Sequence, residues 1–93
     1  VEKETPLSIH PTRLVAVKGD AEIELPLVEL KLLAYLIANR GRVITAKELF
    51  EEIWKGRAME HGNIVNVYIN YLRTKLGKEA IITVRGEGFR MAA

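Results

Sequence analysis

Three asparagines, two tyrosines and an arginine fall between residues 63 and 76, at spacings that a helix brings to one side. At about 100° per residue, Val65, Ile69, Leu72 and Leu76 form one apolar stripe, which must face a core. Geometry then sets Asn63, Val67, Asn70, Tyr71 and Thr74 on the opposite side. Asn66 and Arg73 flank that side on one edge, and Ile64, Tyr68 and Lys75 on the other. A solvated helix face is ordinarily rich in Lys and Glu. This one has no acid, and asparagine is a poor helix former that needs a reason to recur. Asparagine pairs bidentately with adenine N6 and N7 in a major groove. Tyrosine hydroxyls and Arg73 suit phosphate oxygens. Shortly after comes Thr83-Val84-Arg85-Gly86-Glu87-Gly88-Phe89-Arg90, a strand, a glycine-permitted turn and a second strand. Reading Ile82 and Val84 inward leaves Thr83 and Arg85 outward.

Other chemistries find little support. With no cysteine, disulfides, zinc thiolates and thiol nucleophiles are excluded. His10 and His61 are far apart, without the acidic pattern of a metal site, and each reads as a structural or loop residue. Glu48, Glu51 and Glu52 read as solvated carboxylates on a helix, not as an acid–base pair. The Gly86–Gly88 pair is no dinucleotide fingerprint, because no third glycine opens a helix. The chain is therefore expected not to be an enzyme, and to need no cofactor, metal or small-molecule ligand. No apolar run approaches the roughly 20 residues of a membrane helix, and no signal peptide is visible.

The 93 residues suit one small domain. The net charge of +2 is unevenly placed. Residues 62–93 hold five basic side chains (Arg73, Lys75, Lys78, Arg85, Arg90) against two acids, whereas residues 1–61 hold nine against ten. The positive charge thus gathers in the segment with the unusual helix, as a polyanion partner requires. Residues 1–6 read as a linker or frayed terminus, and 7–93 as the domain. The start at Val1 is expected of a piece of a longer protein.

The scaffold is an α+β arrangement. Leu7–His10, Leu14–Val17 and Ala21–Leu25 alternate or are β-branched and read as an antiparallel β-meander. From Pro26, which suits a first helical turn, Leu27, Leu30, Leu32, Leu33, Tyr35, Leu36 and Ile37 give a central helix apolar nearly all round, stopped at Asn39-Arg40-Gly41. After the extended Arg42-Val43-Ile44, Thr45 and Glu48 form a capping box, with the Glu48 side chain reaching back. That helix is expected to run to Trp54, a core anchor whose indole N–H can also reach a phosphate. Lys55–Gly62 is a polar loop.

In this order the residues resemble the winged-helix effector domain of OmpR/PhoB-type response regulators, over Leu7 to Met91. The resemblance rests on the T-V-R-G-x-G-F-R hairpin and on the helix with Val65, Val67, Ile69, Leu72, Arg73, Lys75 and Leu76. Leu25, Glu29, Leu30, Leu32 and Leu33 match the start of the first helix. It implies a winged helix-turn-helix with an N-terminal antiparallel β-meander, three helices and a C-terminal β-hairpin wing.

It also implies sequence-specific binding of double-stranded DNA for transcription regulation, as the cytoplasmic output domain of a two-component system. The helix around Asn63–Leu76 would lie in the major groove, with Asn63, Asn66, Val67, Asn70, Tyr71 and Thr74 toward the bases. Arg85 would enter the adjacent minor groove beside Thr83. Trp54, Tyr68, Arg73, Lys75 and Arg90 would meet phosphates. Lys55, Arg57, Glu60 and His61 fall in the loop that meets RNA polymerase in activators. A head-to-tail dimer on direct repeats and a preceding receiver domain are implied as well. Asn63, Asn70 and Tyr71 replace side chains that are often Arg in the family, so phosphate affinity should be lower and its salt dependence shallower. The alternative is a winged helix used as a protein-interaction module, with Val67, Tyr68 and Tyr71 as its contact patch.

Overall fold

The computed structural model describes residues 7–10, 12–55 and 63–92. Residues 1–6, expected to be a linker, lie outside that range. β1 (Leu7–Ile9), β2 (Ala16–Lys18) and β3 (Ala21–Ile23) form an antiparallel sheet in that order. Ile9 pairs with Ala16, and Ala16 with Ile23. The meander is as expected, but its second strand starts late. Leu14 has φ 56° and is 57% exposed, so it belongs to the reversal and not to the strand. In that reversal His10 Nδ1 accepts from the backbone N–H groups of Thr12 (3.3 Å) and Arg13 (3.2 Å). His10 is a turn-holding residue, consistent with its structural reading.

α1 (Leu27–Ala38) buries Leu30, Leu32, Leu33 and Leu36. Pro26 stands just outside as the N-cap residue instead of in the first turn, and its carbonyl accepts from Leu30 N–H at 2.9 Å. Leu27 was expected to widen the buried face but is 61% exposed. The core presses on the side of α1 that carries Leu32, Leu33 and Leu36, and Leu27 lies beyond it at the first turn. The stop at Asn39 is real, and Asn39 Nδ2 donates back to the Tyr35 carbonyl at 2.8 Å.

α2 (Ala46–Leu49) opens on Thr45, whose hydroxyl oxygen accepts from Glu48 N–H at 3.0 Å. Only that half of the capping box forms. The Glu48 carboxylate turns instead to the guanidinium of Arg42, at 2.7 and 3.1 Å, and to the Tyr35 hydroxyl. These bonds to the carboxylate hold Glu48 down at about 2, with Arg42 the larger cause and Tyr35 next. The same carboxylate pushes the Tyr35 phenol up. The helix continues to Trp54 as expected, but residues Phe50–Trp54 form a wider π turn. It ends where Lys55 takes a left-handed conformation, φ 56°.

α3 (Ile64–Leu76) buries Val65, Ile69, Leu72 and Leu76, the stripe read from the sequence. A short 3₁₀ turn (Lys78–Ala80) leads to β4 (Ile81–Val84), which pairs antiparallel with β5 (Gly88–Met91). One core joins α1, α2 and α3 to both sheets, through Leu7, Ala16, Ile44, Leu49, Ile81 and Phe89 among others. Ile44 bridges to Phe89 through two backbone hydrogen bonds, 2.8 and 2.9 Å. The link between α1 and α2 thereby becomes a third edge on the hairpin. Gly88 passes so close to Ile44 that no side chain fits there.

The hairpin corrects one orientation. Ile81 faces Met91 and Thr83 faces Phe89, and Ile81, Phe89 and Met91 are buried. Ile81 and Thr83 therefore share the inner face, while Ile82, 36% exposed, and Val84 lie on the outer one. The expected phase is inverted, although Thr83, near the end of the strand, stays exposed.

Candidate nucleic-acid interface

The exposed side of α3 carries Asn63, Asn66, Val67, Asn70, Tyr71 and Thr74, all solvent-accessible. Val67 (41% exposed) and Tyr71 (47%) stand one helical turn apart as an apolar ridge. Asn66 and Asn70 form a second, polar ridge beside it, since residues four apart are neighbours on a helix. Thr74 is partly spoken for, because its hydroxyl donates to the Asn70 carbonyl at 3.0 Å. Asn63 precedes the helix without capping it by its side chain, and is exposed.

An aromatic ladder braces the N-terminal half of this face. Phe50 stacks on Trp54 (ring centroids 6.3 Å apart), Trp54 meets Tyr68 edge-on (5.3 Å), and Tyr68 meets Tyr71 edge-on (5.2 Å). Such pairs each contribute about 0.5–1.5 kcal/mol beyond their burial. The ladder holds Trp54 and Tyr68, both half-buried, along one edge of the helix, and fixes the exposed ring of Tyr71.

The C-terminal half is where charge gathers. Asn70, Arg73, Thr74, Gly77 and Lys78 line a shallow concave patch. In the sequence Lys78 belongs to the positive charge of residues 62–93 but not to the named contact residues. The 3₁₀ turn brings it to the patch. Lys18 from β2 donates to the Leu76 carbonyl at 2.6 Å, placing a cation at the negative end of the α3 dipole. Lys75 is differently occupied. Its ammonium pairs at 2.8 Å with Glu29, a buried carboxylate in the first turn of α1 whose side chain is 5% exposed. That ion pair fastens α1 to α3 and engages the charge expected to meet a phosphate.

The wing presents Arg85 at its tip. The Val84 carbonyl accepts from Glu87 N–H at 2.9 Å, and Gly86 between them has φ 76°, closing the turn with Arg85 exposed. Arg90 is half-buried on the outer face, across from Ile82. Thr83 accepts at its hydroxyl from Arg73. Of the loop residues, Lys55 is exposed at the end of the π turn, while Arg57, Glu60 and His61 lie outside the described residues. Among the described residues no cluster of three His, Cys, Asp or Glu is placed to hold a metal ion, and no helix is long and apolar enough to cross a membrane.

A helix with an acid-free exposed face, set beside a hairpin tipped by arginine, has direct counterparts. Residues 20–91 match the family of transcriptional regulatory protein C-terminal domains. The chain belongs to this family, in its OmpR/PhoB branch.

The effector domain is 40% identical over 87 residues to the response regulator MprA of Mycolicibacterium vanbaalenii, covering 89% of this chain and 38% of that protein. It is 35% identical over 78 residues to the KDP operon transcriptional regulatory protein KdpE of Escherichia coli, covering 78% of this chain and 35% of that protein. The chain thus spans little more than a third of the length of these curated relatives. Among solved structures, the DNA-binding domain of CpxR from E. coli superposes with a TM-score of 0.79 at 28% identity, over 99% of this chain and 97% of that one. The winged-helix architecture is therefore shared, and α2, α3 and the β4–β5 hairpin are the helix-turn-helix and wing of this effector domain. These relationships do not favour the reading as a protein-interaction module.

Proposed function

We propose that this effector domain binds double-stranded DNA in a sequence-specific manner, as the output module of a two-component transcription regulator. The observation that carries the proposal is the exposed side of α3, which offers two asparagines, a valine–tyrosine ridge and no carboxylate. A B-DNA major groove admits a helix of this kind. Asn66 and Asn70 are suited to adenine edges, and Val67 and Tyr71 to the apolar surface beside them. Asn63 and Thr74 extend the same face at its two ends. Arg85 on the exposed wing tip is suited to a narrow minor groove, where negative potential is concentrated.

Phosphate contacts are assigned to Trp54 and Tyr68 along one edge of α3, and to Arg73 with Lys78 at the concave patch. Arg90 on the outer wing face is a more peripheral candidate. Lys75 is a weaker candidate, because its ammonium charge is already paired with Glu29. RNA polymerase as a partner at the loop beginning with Lys55, and head-to-tail pairing on direct repeats, extend the proposal to the assembled regulator. Selection of bound duplexes from a random pool tests it. The expected product is a short A·T-containing motif recurring at fixed spacing, and recovery of no enriched motif would refute sequence-specific binding.

A further inference from the structure

Arg73 was expected to spend its charge on a phosphate, yet the structure gives most of its donors another use. Its side chain leaves the last turn of α3 and reaches β4. Nε and Nη2 both donate to the Ile81 carbonyl, at 3.1 and 2.8 Å, and Nη2 also donates to the Thr83 hydroxyl at 2.7 Å. Among the described residues no backbone hydrogen bond runs between α3 and the hairpin. The backbone bonds that hold the hairpin to the helical part go to Ile44 instead, at Phe89 on β5. On the β4 side the polar link to α3 is this one guanidinium. The inverted phase of β4 makes the contact possible, because Thr83 on the outer face would be out of reach.

The chemistry of the link is specific to arginine. A planar guanidinium holds two acceptors in a fixed fork, which a lysine ammonium on a flexible stem does not reproduce. Charge-assisted bonds of this kind are roughly twice as strong as neutral ones. Ile81 is buried in the core, so the fork anchors on a residue packed into the core, and Thr83 lies two residues further toward the wing tip.

We propose that Arg73 is a positioning residue that sets the wing against the recognition helix, and that through Thr83 it controls how well Arg85 reads the minor groove. The inference rests on the duplex-binding reading and deepens it. Nη1 keeps its hydrogens for a phosphate at the concave patch, so the same side chain registers the wing at the moment the helix docks. A contact made only to phosphate lowers affinity on every sequence alike. A positioning residue alters discrimination at a segment it does not touch.

The test uses this 93-residue chain and a duplex recovered by random-pool selection. The duplex is made in two versions, with the wing-facing segment either A·T or G·C. The wild-type domain is expected to favour the A·T version by roughly tenfold. Arg73→Lys keeps the positive charge but loses the fork, and is expected to bring that ratio to within about twofold while weakening binding to the G·C version less than about threefold. Adding Thr83→Val to Arg73→Lys should change the ratio no further, because both act on one link.

Should Arg73→Lys fail to fold, Thr83→Val alone carries the test and is expected to reduce the ratio at least by half. The proposal is overturned if Arg73→Lys or Thr83→Val leaves the ratio intact. It is also overturned if Arg73→Ala loses affinity equally on both versions, with a salt slope shallower by about one. A wild-type ratio near one overturns it too. Failure of the wild-type domain to bind any duplex would instead sink the underlying reading, so the two failures are distinguishable.

Discussion

Gly88→Ala is the substitution whose effect can be worked most fully from the structure. A Cβ at Gly88 would lie 2.1 Å from the Ile44 carbonyl oxygen, 2.7 Å from its carbon and 2.9 Å from Thr45 Cα. All three are backbone atoms, so no rotamer change relieves the clash. The backbone at Gly88 has φ 153°, a conformation side chains rarely adopt. Accommodating the methyl therefore means separating β5 from Ile44, which breaks the hydrogen bonds of 2.8 and 2.9 Å between Ile44 and Phe89. Each lost bond costs about 0.5–1.5 kcal/mol, and the backbone strain adds about 1–3 kcal/mol. The total of about 2–6 kcal/mol is a large share of the roughly 5–14 kcal/mol expected for a domain of this length.

Urea unfolding followed by Trp54 fluorescence measures that loss. The control is Gly86→Ala, where φ is 76° but nothing lies within 4 Å of the added methyl. It should cost only about 1–2 kcal/mol, the penalty for a left-handed side-chain residue. If Gly88→Ala falls within about 1 kcal/mol of Gly86→Ala, the Ile44 bridge does not anchor the wing as described.

Other expectations follow from the ion pairs and the α3 face. Glu48 sits at about 2, below its unfolded value, so its stabilising contribution is fully present above about pH 4.5 and is lost as pH falls toward 2. Melting temperature between pH 2 and 6 should therefore fall less steeply in Glu48→Gln than in wild type, and parallel curves would exclude the Arg42–Glu48–Tyr35 cluster as a cause. Lys75→Met leaves the Glu29 carboxylate buried and unpaired, which should cost about 1–3 kcal/mol in urea unfolding. Adding Glu29→Gln should recover part of it, and a neutral Lys75→Met would show the pair to be idle. Asn70→Ala should relax preference at one base position by about 1–3 kcal/mol in competition binding. An equal loss on all sequences would remove Asn70 from base reading. Arg85→Ala should weaken binding most on duplexes with an A·T-rich, narrow minor groove. Equal weakening on G·C-rich duplexes would assign it to phosphate.

Much of the scaffold was legible because its periodicities are clean. The α3 stripe of Val65, Ile69, Leu72 and Leu76 fits a 3.6-residue repeat with no competitor, and its exposed face followed from geometry alone. The hairpin was legible as a hairpin but not in phase. With Ile81 and Ile82 adjacent, either Ile81/Thr83 or Ile82/Val84 makes an alternating face. Phe89 and Met91, held by the distant Ile44, decide for the first. The widening of α2 into a π turn at Phe50–Trp54 depends on where tertiary packing wants Trp54, and local propensity does not report that.

Side-chain commitments were the least legible. Lys75 meets Glu29 across 46 residues, and Lys18 meets the end of α3 across 58. No local spacing shows such pairings. Glu48 illustrates the same limit at short range, since its capping arm was outcompeted by Arg42 and Tyr35. The charge that counts for a polyanion is thus smaller than the sequence total, and it is concentrated on Arg73, Lys78 and Arg85.

The most direct measurement is the affinity of this domain for duplex DNA as salt is varied. Each phosphate neutralised contributes about −0.9 to the slope of log K against log salt. With Arg73, Lys78 and Arg85 as the available cations, and Arg90 at the margin, the expected slope is about −3. Binding should be detectable at about 50 mM salt and fade by about 200 mM. Absence of duplex binding at the lower salt, or binding whose strength does not change with salt, would contradict the account.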